Sequence, residues 1–425
     1  MASLQVTQEQ ERITSPPMAS LLCPPYKAVM YDQYGEPDKV LRLADVGPVE
    51  LGARDVCVKM LAAPINPSDI NSIEGVYPNK PTVPGAVGGI EGVGQVQAVG
   101  PAVTASLSPG DWVIAFPHTA MGSFSVFPRR ALSLWSYSFS PSSLPLLRAG
   151  TWQTYAVKPQ ELWHKVRNDV PMEYAATVTV NPLSALVLLQ CFTKLNPGAC
   201  PLPTCHPSTS LYISKKLYML IPSKLLISLG DTIVQNGATS IVGQCLIQLA
   251  KAQGIRTINI IRDRPGSEQA KHRLTQLGAH LVFTESQLRV KNVKSLLGTL
   301  PEPALGFDCV GGNAASLTMR VLRKGGTMVT YGGMSKEHVN VSTSSFIFKD
   351  LSFKGFWLWN WVNSDKVVDC KKMIDYLLDL VKEGKLTYQT ELTPFRDFGL
   401  ALDKAQGKLG AQPKQVVSFW DKAKL

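Results

Sequence analysis

Hydrophobic and polar positions along this chain follow two different rhythms. From Tyr26 to about Ile114, short apolar runs such as Tyr26–Tyr31 and Val56–Leu61 are broken by Gly or Pro every eight to twelve residues. That spacing predicts a small β-rich unit. From about Asp231 the pattern changes to strand then helix, repeated. The predicted strands are Asp231–Gln235, Arg256–Ile261, His280–Phe283, Phe307–Val310, Gly326–Tyr331 and Leu351–Leu358. Helices are predicted over Gly243–Gln253, near Gly266–Leu277 and after Gly312. Because these strands are apolar throughout rather than alternating, they belong in a parallel sheet covered by helices on both faces. The tail predicts a helix over Lys366–Glu383 and a short strand, Gln415–Trp420, able to return to the first unit. The fold class is therefore α/β: a β-rich unit followed by a doubly wound one.

Three stretches fit neither rhythm. Residues 1–25 are aperiodic and read as a flexible leader. Residues 115–149 and 199–229 are rich in Ser, Pro and Leu with no period of 2.0 or 3.6. They read as insertions, since structureless loops longer than about 12–15 residues are uncommon in compact domains. Tenfold lengthening of a surface turn costs only about 2 kcal/mol of closure entropy, so folding tolerates them. The expected division is then 26–180, 181–362 and a returning 363–425.

Composition narrows the class. With 45% hydrophobic and 18% charged residues among 425, the chain is not wholly disordered, and no apolar run is long enough to predict a spanning helix. The net charge of +11 raises nucleic acid as a partner, but Arg129, Arg130, Arg148, Lys215, Lys216 and Lys224 of the two insertions supply six of those charges. The rest is spread without clusters or interleaved aromatics, so no nucleic-acid partner is expected. Eight cysteines stand singly, which predicts reduced thiols. Cys200, Cys205 and His206 sit in an insertion and are not expected to hold a metal.

The chemistry gathers at strand ends. Between Asp231–Gln235 and the next helix the chain reads Asn236-Gly237-Ala238-Thr239-Ser240-Ile241-Val242-Gly243. A strand that stops at small residues and opens a helix offers free N–H groups and a positive dipole end to a pyrophosphate. The middle glycine of the usual fingerprint is missing, so an ordinary strand-to-helix turn remains open on this stretch alone. Nineteen residues beyond Gly243 come Arg262-Asp263-Arg264. An NAD enzyme keeps a lone carboxylate there, whereas guanidinium groups suit the 2′-phosphate of NADP(H). Glycine-rich ends recur at Cys309-Val310-Gly311-Gly312 and Tyr331-Gly332-Gly333-Met334, where a bare backbone lets a cofactor approach.

A fourth set of motifs lies in the β-rich unit: Ala63-Pro64-Ile65-Asn66-Pro67-Ser68-Asp69-Ile70-Asn71, Gly75-Val76-Tyr77-Pro78, Val83-Pro84-Gly85 and Gly88-Gly89-Ile90-Glu91-Gly92. This text is similar to the zinc-independent medium-chain dehydrogenase/reductases. With Gly150–Tyr155, Asn181-Pro182, Tyr331–Met334 and Phe356-Trp357-Leu358, it resembles within them the mitochondrial trans-2-enoyl-thioester reductases of fatty-acid synthesis, from Tyr26 to the end apart from the insertions. The zinc-dependent relatives carry Gly-His-Glu where this chain has Gly89-Ile90-Glu91, so no metal is implied.

The resemblance implies a GroES-like catalytic domain, a Rossmann cofactor domain, NADPH as cofactor and an enoyl-CoA or enoyl-acyl-carrier protein as substrate. It also implies a homodimer and a mitochondrial location, although Glu9 and Glu11 beside Arg12 make a weak transit peptide. Carried over residue by residue, Tyr77 donates the proton. Asn181 and Thr239, Ser240, Ile241 and Val242 meet the nicotinamide and pyrophosphate. Arg262, Asp263 and Arg264 hold the 2′-phosphate, while Tyr331, Gly332, Gly333, Met334, Phe356, Trp357, Leu358 and Lys414 complete the walls. Two rivals follow from the same text: a quinone oxidoreductase, which needs no proton donor at an α-carbon, and a non-catalytic binding protein that keeps the fold.

Overall fold

A computed structural model describes residues 22–116, 150–192, 231–364 and 366–420. The first rhythm becomes a seven-stranded sheet in the order Trp163–Val166, Trp112–Ala115, Val93–Val99, Asp55–Pro64, Lys414–Ser418 and Thr390–Pro394, with Tyr155–Pro159 also pairing to Asp55–Pro64. A smaller sheet of Arg42–Val46, Tyr26–Tyr31 and Ala86–Val87 lies beside it. The tail does more than return one strand. Thr390–Pro394 runs parallel to Lys414–Ser418, and the helix Phe398–Ala405 makes the crossover that parallel neighbours require.

The second rhythm becomes a six-stranded parallel sheet of Thr232–Gln235, Arg256–Ile261, Leu281–Thr284, Leu305–Asp308, Thr327–Thr330 and Ser352–Gly355. In space they run third, second, first, fourth, fifth, sixth. The order reverses between the first and fourth strands, and a crevice at their carboxyl ends is where such sheets take ligands.

Several predicted boundaries move. The fourth strand ends at Asp308, so Cys309 and Val310 lie in the turn. The last strand stops at Gly355, and Leu358 opens a short helix, Leu358–Val362, instead of extending the strand. Phe356 still donates to Thr330 O, after which Trp357 O accepts from Asn360 N and Trp361 N and turns the chain. The predicted insertion at 115–149 begins too early. Ala115 ends a strand and its N–H donates to Gly92 O, while Phe116 N donates to Leu162 O, so both residues are tied into the β-rich unit. The remainder of that stretch, all of 199–229 and the first 21 residues lie outside the described residues.

One continuous core joins the two sheets. It runs from Leu61, Ala62 and Val93 through the helix Asn181–Phe192 to Ile233 and Val329 of the parallel sheet. That helix is apolar all round because it is covered all round. Leu183, Leu186, Leu188 and Leu189 are buried on it, each side chain contributing about 1.5–3 kcal/mol. Among the described residues no helix is long and apolar enough to cross a membrane.

Candidate active site

The cleft between the sheets is built by local rules that the sequence already carries. Asn66 caps the helix Pro67–Ile73, and its N–H donates to the Asp69 carboxylate at 2.8 Å. Gly75, at φ +80°, ends that helix where a Cβ would lie 2.9 Å from Tyr34. Val76 and Tyr77 N–H groups then fold back onto Asn71 O, at 3.0 and 3.1 Å. This places the half-buried Tyr77 across the cleft from Trp357, whose indole Nε1 donates to the phenol oxygen at 2.8 Å. The rings meet edge-on at 6.0 Å. A second link, Lys336 to Glu74 at 3.0 Å, also crosses the cleft, but the lysine side chain is 71% exposed and such a pair is worth only about 0–1 kcal/mol. The aromatic contact is the stronger tie.

On the other wall the predicted turn is in place. Gly237 has φ +59°, and Ser240 caps the helix Ile241–Ala252 by accepting from Gly243 N. The helix therefore starts two residues earlier than predicted, and Ile241 and Val242 bury their side chains while their N–H groups line the first turn. Gly243 must be glycine: a Cβ there would lie 2.6 Å from Ala238 Cα. The two glycine-rich strand ends come together, since Tyr331 N donates to Asp308 O and Met334 N to Cys309 O. Asn236 locks the reversal point by accepting from Cys309 N at 2.9 Å and donating to Asp308 at 2.6 Å. A Cβ on Gly332 would lie 3.1 Å from Cys309 O, whereas one on Gly333 would meet open space. Tyr331, Phe356 and Leu358 pack against the main core, and Met334 is exposed. Burial raises the Tyr331 phenol well above its ordinary range, so it stays protonated.

Arg262 and Arg264 are exposed at the end of the second parallel strand. Partial desolvation of its guanidinium end, then repulsion from Arg262 and Arg273, lowers Arg264, which describes a cluster of cations suited to an anion. The carboxylate of Asp263, the residue between Arg262 and Arg264, is already bonded within the protein. It accepts from Ser286 N at 2.8 Å, and the Ser286 hydroxyl holds it below the usual carboxylate range. Backbone cradle, bare Gly333 and paired guanidinium groups together fit a dinucleotide phosphorylated at its 2′ position.

Between the two walls lies a polar cluster. Asn66 Oδ1 accepts from Asn181 Nδ2 at 3.0 Å and from Lys414 Nζ, and Asn66 Nδ2 donates to Glu91 at 2.7 Å. Strand register explains the lysine: Val416 sits opposite Pro64, which carries Lys414 alongside Asn66. Burial pulls Lys414 down to about 8 and pushes Glu91 up to about 7. Sequence reasoning named Asn66 and Glu91 within motifs but assigned neither a task. The signal for Glu91 was an acid in the glycine-rich apolar run 88–92. Among the described residues no cluster of His, Cys, Asp and Glu could hold a metal ion, and Cys200, Cys205 and His206 lie outside them.

Comparison with known proteins agrees with this geometry. The alcohol dehydrogenase GroES-like domain family matches residues 52–168, and the zinc-binding dehydrogenase family matches 242–378. The mitochondrial enoyl-[acyl-carrier-protein] reductase of Arabidopsis thaliana is 55% identical over 401 residues, covering 94% of this chain and 90% of that protein. The Etr1p/NADP/crotonyl-CoA complex superposes with a TM-score of 0.72 at 29% identity, over 93% of this chain and 100% of that one. The mitochondrial 2-enoyl thioester reductase Etr1p/Etr2p heterodimer from Candida tropicalis gives 0.72 at 30%, with the same coverage. Two sheets joined by one core, a dinucleotide cradle facing a tyrosine and identity sustained across nearly the whole chain leave one assignment: the chain belongs to the mitochondrial enoyl-[acyl-carrier-protein] reductase family.

Proposed function

We propose that this chain reduces trans-2-enoyl thioesters, carried on coenzyme A or acyl-carrier protein, to saturated acyl thioesters with NADPH in mitochondrial fatty-acid synthesis. The observation that carries the reading is the Tyr77–Trp357 contact, which sets a phenol against the strand-end cradle. The named activity of the Arabidopsis relative and the ligands in the Etr1p complex support it.

When bound, NADPH supplies the hydride that adds to the β-carbon of the enoyl thioester. The residues of the chain do the rest. Ile241 and Val242 offer first-turn N–H groups to the pyrophosphate, with Thr239 and the capping Ser240, whose own N–H is held by Gly237 O, leading into that turn, and Tyr331, Gly332, Gly333 and Met334 line the neighbouring strand ends. Arg262 and Arg264 hold the 2′-phosphate, while Asp263 braces their turn through Ser286. Asn181 and Lys414 take the nicotinamide side, and Phe356, Trp357 and Leu358 close the wall. Tyr77 gives its proton to the α-carbon of the enolate, and Trp357 donates to the oxygen that then bears the charge.

The β-rich unit is assigned to 26–180 with 363–425 and the cofactor unit to 181–362. Two copies pair through the last parallel strand, Ser352–Gly355, which lies at a sheet edge beside the exposed Phe346, Ile347 and Phe348. The test is optical: NADPH oxidation by the full chain with a short trans-2-enoyl-CoA, compared with NADH. Turnover that prefers NADPH, with the preference lost in Arg262→Ala/Arg264→Ala, is expected. A folded chain that binds NADPH without reducing the thioester overturns the substrate, and one that binds no NADPH overturns the reading.

A further inference from the structure

We infer that Glu91 is a positioning residue of this reductase, setting the amide of Asn66 so that its oxygen holds both Lys414 and Asn181 toward the cofactor side of the cleft. The inference rests on the reading above, in which Lys414 and Asn181 meet NADPH.

The argument begins with how Glu91 is planted. It follows Gly88 and Gly89, where a Cβ would meet Trp152 and Thr151 side chains at 2.3 Å, and precedes Gly92, where a Cβ would lie 2.9 Å from Ala62 O. Thr151 Oγ1 donates to Glu91 O at 2.7 Å. The loop is thus clamped, and Glu91 is 1% exposed. A carboxylate so buried needs partners on both oxygens. One accepts from Asn66 Nδ2 at 2.7 Å, and the other from Thr179 Oγ1 at 2.7 Å and Val180 N at 2.9 Å. Glu91 therefore touches the β-rich unit through Asn66 and the entry to the helix Asn181–Phe192 through Val180.

The amide of Asn66 has two possible orientations with opposite consequences. With Nδ2 on the acceptor-only carboxylate, Oδ1 faces two donors, Lys414 Nζ and Asn181 Nδ2. Turned over, its NH2 would face those donors and its oxygen the carboxylate, leaving all of them unmatched. The accepting oxygens of Glu91, one on Asn66 and the other on Thr179 and Val180, thus select one state, and that state holds the ammonium and the amide in place. Packing alone does not make this choice, because the two orientations have nearly the same shape.

A swap tests it. In Glu91→Gln the new NH2 competes for Asn66 Oδ1 and removes the selection. In Asn66→Asp/Glu91→Gln the glutamine donates to one aspartate oxygen, the other accepts from Lys414 and Asn181, and the net charge is restored. NADPH dissociation constants are measured by quenching of tryptophan fluorescence, beside kcat and KM with a short enoyl-CoA. Glu91→Gln is expected to weaken NADPH at least tenfold and raise KM for NADPH more than it lowers kcat, while the double variant returns within threefold of the parent. Unchanged NADPH binding in folded Glu91→Gln overturns the inference. So does a double variant that is unfolded, or folded and still weak. If Glu91→Gln does not fold, the double variant decides by the same measurement. A parent chain that itself binds no NADPH sinks the reductase reading, whereas loss of this inference alone leaves parent turnover intact.

Discussion

Tyr77 is one half-buried tyrosine among twelve, and its importance comes from what the backbone does around it. Gly75 ends a helix, two N–H groups fold onto Asn71 O, and the ring then meets Trp357. Tyr77→Phe keeps the ring and removes the proton. It should lower kcat/KM for enoyl-CoA by about 10²–10⁴ with NADPH binding unchanged, measured by steady-state kinetics and fluorescence. A quinone reductase would lose nothing, so the same variant separates the two chemistries. Glu91 carries a second residue-scale prediction. Its pKa is raised from 4.5 to about 7 by burial, against stabilising contacts from Asn66, Lys414 and Thr179 and repulsion from Asp69, with Tyr388 also nearby. Between those values the folded chain binds a proton that the unfolded chain has released, so stability falls as pH rises through that window. Lys414 is lowered to about 8 and titrates above it. Relative to Glu91→Gln, the parent should therefore lose about 3 kcal/mol between pH 4.5 and pH 7, read from denaturant unfolding at both ends.

At the scale of elements, the strand-to-helix turn shows how much a glycine count can conceal. The standard middle glycine is absent, yet Ser240 does the capping and Gly243 the close packing against Ala238. Ser240→Ala should cost about 1 kcal/mol. Gly243→Ala forces a Cβ against backbone and should cost about 1–3 kcal/mol. Thermal unfolding would rank them in that order, and equal losses would contradict the tight fit. The alternation of strand and helix was legible because strands buried on both faces read as continuous apolar runs. The strand predicted through Leu358 was not, since apolar residues serve a buried strand and a short buried helix equally well. What ends it is Trp357, whose carbonyl turns the chain while its indole is held by Tyr77, a residue 280 positions away. The strand Thr390–Pro394 and its crossover helix escaped because that edge strand is fixed only by its pairing with the distant Lys414–Ser418.

For the whole molecule, the tail decides the architecture. Lys414–Ser418 pairs with Asp55–Pro64, so a strand from the tail completes the seven-stranded sheet of the β-rich unit. The unpaired edge at Ser352–Gly355, with Phe346, Ile347 and Phe348 exposed at 54, 65 and 72%, is a surface that a second copy would cover. Changing those three side chains to serine should convert a dimer into a monomer in sedimentation velocity without lowering thermal stability. A monomeric parent would remove the proposed assembly.

The sequence by itself determined most of the elements and the strand-end turns proposed to face the cofactor, because strand periodicity and helix capping are local and each is written within about 10 residues. The glycines of 331–334 were legible for that reason, whereas Arg262 and Arg264 were read from their spacing to the strand-to-helix turn. Only the tertiary structure decided the polar centre. Asn66, Glu91, Asn181 and Lys414 are separated by as many as 348 positions, and what unites them is register between distant strands and the pairing of donors with acceptors in a buried space. Asp263 makes the same point in reverse: its place beside two arginines suggested a shared ligand, and a serine 23 positions on claims its carboxylate instead. Charge and hydrogen-bonding capacity belong to a residue, whereas the partner that fixes their use is a property of the fold.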